Sequence, residues 1–131
     1  MKRYWDASAL IDALHDTRIE QKLLEPDQWT RAHALAETFA TLTGGRLGFH
    51  YLPDDAAALI RELTQRINFV ELNGAETVAA LDAAQQRGVR RGRVHDWLHA
   101  YAAQKAGVTE LLTDNLNDFA GLEDGFSAMA P

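Results

Sequence analysis

At 131 residues, with 47% hydrophobic side chains spread along its length, the chain is sized for one domain, residues 1–131, around a single core. It contains no cysteine, which excludes disulfides, thiolate nucleophiles and Cys-ligated zinc, and no stretch approaches the ~20 apolar residues of a membrane span. The net charge of -6 excludes nucleic-acid binding by bulk charge alone, and the acid in the opening Met1 to Asp6 segment is foreign to a signal peptide, so a soluble, cytoplasmic protein is expected.

The predicted elements begin with a short strand, Arg3 to Asp6, followed by a helix from Ala7 to Leu14 and a second from Thr17 to Leu24. Pro26 and Asp27 break the chain before a short strand over Trp29 to Ala32. His33 to Leu42 reads as a helix closed by Gly44-Gly45, with Leu35, Phe39 and Leu42 on one face. Leu47 to Tyr51 is apolar and ambiguous. Pro53 opens a helix where its missing N–H costs nothing, and Ala56, Leu59, Ile60, Leu63 and Ile67 recur in it at helical spacing. A strand is expected over Asn68 to Leu72 and a helix from Ala75 to Arg87, ending at Gly88. After the loop Gly88 to Arg93, Val94, Trp97, Leu98, Tyr101 and Ala102 form the clearest helical stripe, stopped by Gly107. Glu110 to Thr113 is a buried-type strand, a turn or short helix runs to Phe119, and Phe126 to Met129 is a last weak strand. Strands alternating with helices predict an α/β fold with a parallel sheet.

Four acidic positions stand where chemistry is done in such folds. Asp6 ends a strand and precedes a helix, at the strand end beyond which open α/β sheets bind ligands; it equally suits a helix N-cap, as does Ser8. Glu37 is the only Asp, Glu, Lys or Arg from Ala32 to Gly45, and its neighbours Ala34, Ala36, Ala40 and Thr41 are small, which fits a cleft or close packing better than an open face. Asp96 falls near the start of the strongest helix, where the helix dipole also favours an acid. The fourth is the Asp114-Asn115 turn after Leu111-Leu112-Thr113.

Taken in order, the blocks resemble the PIN-domain family, in particular toxin ribonucleases of the VapC type. They are the strand ending in Asp6 with Ser8 two residues on, and the His33-Ala-Leu-Ala-Glu37 helix. Next come the Gly-Val-Arg-Arg-Gly-Arg-Val-His-Asp segment ending at Asp96 and the Leu111 to Phe119 turn. The resemblance covers about Lys2 to Pro131. It implies a three-layer fold whose parallel sheet runs in the order 3-2-1-4-5 between helices, with the ends of strands 1 and 4 beside the topological switch point. It further implies hydrolysis of RNA to a 5′-phosphate and a 3′-hydroxyl, a small antitoxin partner and commonly a homodimer. In the family the fourth acid falls two residues after the threonine; here that residue is Asn115, while Asp114 comes one earlier, and both stay candidates.

Carboxylates that converge cannot all stay ionised without a cation, and an all-oxygen set favours Mg²⁺ or Mn²⁺. Asp6 and Asp96 are the expected direct ligands, with Glu37 binding directly or through water, and Ser8 and Thr113 orient them by hydrogen bonds. Arg87, Arg90, Arg91 and Arg93 lead into Asp96 in an otherwise acidic chain, and arginine forks match RNA phosphates. His95 and His99 stand four apart as a zinc pair would, but no third ligand completes a motif; His33 and His50 read as structural or surface residues. A phosphoacceptor receiver domain would want adjacent acids after its first strand and a late lysine; here a single acid ends the strand, and the last lysine, Lys105, lies inside a helix. A PIN scaffold that binds RNA or protein without cleaving is the stronger rival, motivated by Asn115.

Overall fold

The computed structural model describes residues 1–131. Five short parallel strands form one sheet: β1 (Arg3–Trp5), β2 (Gln28–Thr30), β3 (Asn68–Phe69), β4 (Glu110–Leu112) and β5 (Ser127–Met129), in the order β3-β2-β1-β4-β5. That is the order the family resemblance implies. Six helices flank it: α1 (Ala7–His15), α2 (Thr17–Leu23), α3 (Ala32–Thr43), α4 (Pro53–Thr64), α5 (Gly74–Asp82) and α6 (Val94–Ala106). None is long and apolar enough to cross a membrane.

Strand alternation divides the apolar residues between two cores. Tyr4 and Leu111 face α5 and α6 and pack with Trp97, Phe119 and Leu122. Their neighbours Trp5 and Leu112 face the other way, onto Leu10, Leu23, Ala34 and Leu63 from α1 to α4. β1 is central, with Tyr4 opposite Trp29 on one side and opposite Leu111 on the other. Consequently the chain leaves β1 and β4 side by side at their carboxyl ends, where the Asp6 amide still bonds to the Leu112 carbonyl at 3.2 Å.

Four elements depart from the sequence reading. The third strand stops at Phe69, not Leu72, because its partner β2 turns away into α3. The Val70 amide makes the last ladder bond to Thr30, at 2.9 Å, and the Glu71 carboxylate is spent on the free Ala32 amide at the start of α3, at 3.0 Å. Helix α5 ends at Asp82 and continues only as a tighter 3₁₀ turn over Gln85–Arg87, closed by Gly88 at φ 67. The Gly88 to Arg93 loop contains a further 3₁₀ turn, Arg91–Arg93, that runs directly into α6. On α3 the buried stripe is Ala34, Thr38 and Leu42, whereas Phe39 is 37% exposed. Small side chains on that stripe let α3 lie close to α1, which displaces the larger Leu35–Phe39 face toward the rim.

Candidate functional site

Asp6 follows the last residue of β1 and caps α1, so one carboxylate oxygen accepts from the Ala9 amide at 2.9 Å and from the Ser8 hydroxyl at 2.6 Å. Ser8 in turn accepts from the Asp114 amide at 2.9 Å, and Thr113 accepts from the Asn115 amide at 2.9 Å. The two hydroxyls are 3.4 Å apart. Ser8 and Thr113 thus strap the end of β1 to the end of β4. Burial pushes the Asp6 carboxyl above its ordinary range, while the Ser8 and Thr113 hydroxyls, the Ala9 amide and the His99 charge pull the other way.

Glu37 reaches the same region from α3. Its carboxylate meets His99 Nε2 of α6 at 2.7 Å. The other ring nitrogen, Nδ1, lies 2.7 Å from the Tyr4 hydroxyl and 3.4 Å from Arg31 Nε. The Glu37 carboxylate can only accept, so His99 Nε2–H donates to it. Tyr4, His99 and Arg31 are all buried, which makes this a fixed chain from the centre of the sheet to the cleft. Burial pushes Glu37 up, but the His99 hydrogen bond and charge, with His33 and Arg31, outweigh it and hold the acid below the usual glutamate range.

Asp96 stands in the first turn of α6. Burial and then the charge of Asp118 push it up to about 6, with further pushes from Asp6 and Glu37 and an opposing pull from His99. Each of these groups raises or lowers another only because the fold has brought four distant segments together. On the far side of Asp6, Asp12 of α1 is pushed up to about 7 by burial, by the hydrogen bond it shares with Asp114, and by the charges of Asp114, Asp6 and Asp16.

Of the predicted residues, Ser8, Glu37, Asp114 and Asn115 line one cleft of about 640 Å³, with Asp6 buried beneath Ser8; Asp96 is not part of that lining, and feels the charges of Asp6 and Glu37. Both candidates for the fourth position therefore face the cleft. Asp114 is committed to Asp12, and Asn115 is exposed. Sequence reasoning missed Asp12 and Asp118, and weighed His99 only as half of a zinc pair. Asp118 was legible as the second acid of the Asp114 to Phe119 turn; Asp12 sits one and a half turns after Asp6 on the same helix. The predicted arginine group is split. Arg87 is bound to Asp124 at 2.9 Å and lies over the Trp97 ring, and Arg93 donates to the Gly88 and Ala120 carbonyls. Arg90 and Arg91 are exposed. The His95–His99 spacing does not serve a metal: His99 turns inward to Tyr4 and Glu37, and His95 stacks on His33 with ring centroids 6.1 Å apart.

No three of the acids and histidines stand at the mutual distances of a closed metal cage. The donor set still suits a small hard cation. Mg²⁺ is held by one or two carboxylates, waters and substrate phosphates and seldom by an all-protein cage, and the carboxyls at Asp96 and Asp12 are raised by burial and then by like charge, which a cation would relieve.

No family model and no curated protein matches this chain. Among solved structures it is similar to PAE2754 from Pyrobaculum aerophilum, at 19% identity and a TM-score of 0.71, over 98% of this chain and 89% of that one. A likeness at that identity carries the fold and nothing of the chemistry.

Proposed function

We propose that this chain is a metal-dependent endoribonuclease, the toxin of a toxin–antitoxin pair with a PIN-type fold, that hydrolyses RNA phosphodiester bonds. One observation carries the reading. Asp6, Glu37, Asp96 and Asp118, from four separate segments, lie within electrostatic reach of one another near the carboxyl ends of β1 and β4, where burial and then their like charge push Asp96 up to about 6. Asp6 and Asp96 would hold Mg²⁺ or Mn²⁺, with Glu37 and Asp118 beside them. A bound cation would supply an activated water and neutralise charge on the scissile phosphate. The chain's own residues do the rest. Ser8 and Thr113 keep Asp6 in one orientation, and His99 holds Glu37 in place from behind. Exposed Arg90 and Arg91, next to the α6 N-terminus, are free to pair with the RNA backbone.

The experiment is incubation of the purified protein with RNA in Mg²⁺ or Mn²⁺. Wild type should cleave, and Asp6→Asn and Asp96→Asn should each reduce cleavage at least a hundredfold with the fold intact, since both remove charge without changing volume. Wild-type rates in either variant overturn that residue's role. A second reading, a PIN scaffold that binds without cleaving, is favoured by the engagement of Glu37 with His99 and by Asn115 in the fourth position. Metal-dependent cleavage lost in Asp96→Asn excludes it. The family resemblance behind this reading also implies a small antitoxin and commonly a homodimer. Val78 and Leu81, 57% and 48% exposed one turn apart on α5, offer apolar surface for a second chain.

A further inference from the structure

The acid-lined cleft does not end at the acids. Its wall continues through His15, Arg46, Leu47 and Phe49. The volume of about 640 Å³ lies within the range of small-ligand sites.

This second end is held in shape. The His15 and Phe49 rings stack with centroids 4.6 Å apart and 13° between their planes. His15 Nδ1–H donates to the Ile11 carbonyl at 2.8 Å, and its Nε2 lies 2.8 Å from the Tyr51 hydroxyl. Both imidazole nitrogens are therefore tied, and the ring cannot swing. The loop that carries Phe49 is equally constrained. Gly45, Leu47 and Gly48 all have positive φ, at 75, 69 and 80. A Cβ at position 45 would lie 2.7 Å from the His50 ring, and the positive φ there disfavours any residue but glycine. Leu47 is the informative member of the three. A leucine in the left-handed region is strained, and here it is 73% exposed, so burial offsets nothing. An aromatic pair that served only the fold would be buried; here His15 is exposed and Phe49 only half-buried.

The charge pattern along the wall is uneven. Arg46 is its sole lysine or arginine, and it stands at the aromatic end. An exposed aromatic face beside a guanidinium is the pairing that a single-stranded nucleic acid requires, one group for the base and one for the phosphate. We propose that the Phe49–His15 pair is a base-stacking subsite, on which an unpaired RNA base packs while an adjoining phosphate pairs with Arg46. The inference rests on the ribonuclease reading and names how that site takes its substrate. Stacking accepts any base, so the subsite selects single strands over duplex and not one sequence over another.

The test uses the full chain in Ca²⁺ with short oligoadenylate and oligouridylate strands, and with the same strands made abasic. Phe49→Leu keeps apolar bulk but loses the ring face. It should weaken base-bearing RNA by roughly 5- to 150-fold and leave abasic strands unchanged. Phe49→Trp should restore the loss. Arg46→Gln should weaken both kinds of strand and flatten the salt dependence of log affinity by roughly 0.7. Equal loss on base-bearing and abasic strands in Phe49→Leu would overturn the subsite. So would unchanged affinity while wild type still binds and cleaves RNA, which would leave this end of the cleft to a protein partner. If wild type neither binds nor cleaves any RNA, the ribonuclease reading itself fails, and the subsite with it.

Discussion

Two helix starts carry the acids Asp6 and Asp96, and they are built in opposite ways. At α1 the acid is part of the fold: Asp6 caps the helix, is buried, and is met by Ala9, Ser8 and Thr113. At α6 the preceding residue is Arg93, which makes no side-chain cap, and Asp96 in the first turn has the helix dipole and the pull of His99 against burial and the charges of Asp118, Asp6 and Glu37. The difference teaches which acid the fold itself employs. Asp6 is a cap held by hydrogen bonds, whereas Asp96 sits under burial and like charge with the pull of His99 against them, and in the proposed function a cation would supply the rest.

The largest effect that would break this contrast is the response to metal. Mg²⁺ at a hundred times its dissociation constant should add about 2.7 kcal/mol to the stability of the wild type, and Asp96→Asn should lose most of that gain. Urea unfolding with and without Mg²⁺ measures it, and no gain in the wild type would remove the reason given for Asp96.

Next in size is the capping asymmetry. Asn at position 6 keeps an acceptor for Ala9 and Ser8 and Ala does not, so Asp6→Ala should be less stable than Asp6→Asn by about 1–2 kcal/mol. The corresponding Asp96→Ala and Asp96→Asn pair should differ by under ~0.5 kcal/mol. Equal differences at the two positions would erase the distinction.

The pH dependence sharpens it further. Asp6, Asp12 and Asp96 have folded values above their ordinary 3.8, with Asp12 at about 7 and Asp96 at about 6. A raised acid stabilises the fold fully below its unfolded value and loses that contribution as pH rises through the folded one. Metal-free protein should therefore lose stability between about pH 4 and pH 7, with Asp12→Asn flattening the upper part of the fall. Glu37, held low by His99 despite its burial, works in the opposite sense and only in more acidic solution. Thermal midpoints in chelator across pH measure this; a flat profile in wild type would mean that the acids do not press on one another.

The smallest effect concerns the approach to α6. Neutralising Arg90 and Arg91 together should lower the salt slope of log RNA affinity by roughly 0.7 per lost phosphate contact, while Arg87→Ala should act first on stability, because Arg87 is tied to Asp124 and covers Trp97. An unchanged slope in the double variant would assign the exposed pair to solubility.

Local signals were legible in the sequence. Pro53 at the start of α4, Gly107 after α6, and the alternation of strands and helices all act within a few residues. The sheet order and the grouping of the four acidic blocks rested on the family resemblance, and the structure bears out the order. What stayed illegible depends on partners far along the chain. Nothing near His99 indicates that it will meet Tyr4, 95 residues away, or Glu37, 62 residues away. Likewise the strand after Ile67 looked longer than β3 because the competing use of Glu71 as a cap for α3 is a tertiary event. The stripe on α3 was misjudged by one residue for the same kind of reason: Ala34 and Thr38 are buried by the nearness of α1, which hydrophobicity alone does not report.

The pairing of β1 with β4 also sets a timetable. Arg3 is bound to Glu110, 107 residues further on, at 2.9 Å. During synthesis the Asp6 cap can form with α1 as soon as both have emerged, since it is local. The meeting of Asp6 with Asp96, Thr113 and Asp118 must wait until β4 has docked along β1, a slow, non-local closure. If the chain cuts RNA as proposed, the growing polypeptide is harmless to the message it is being read from, and its activity begins only with the last strand pairings.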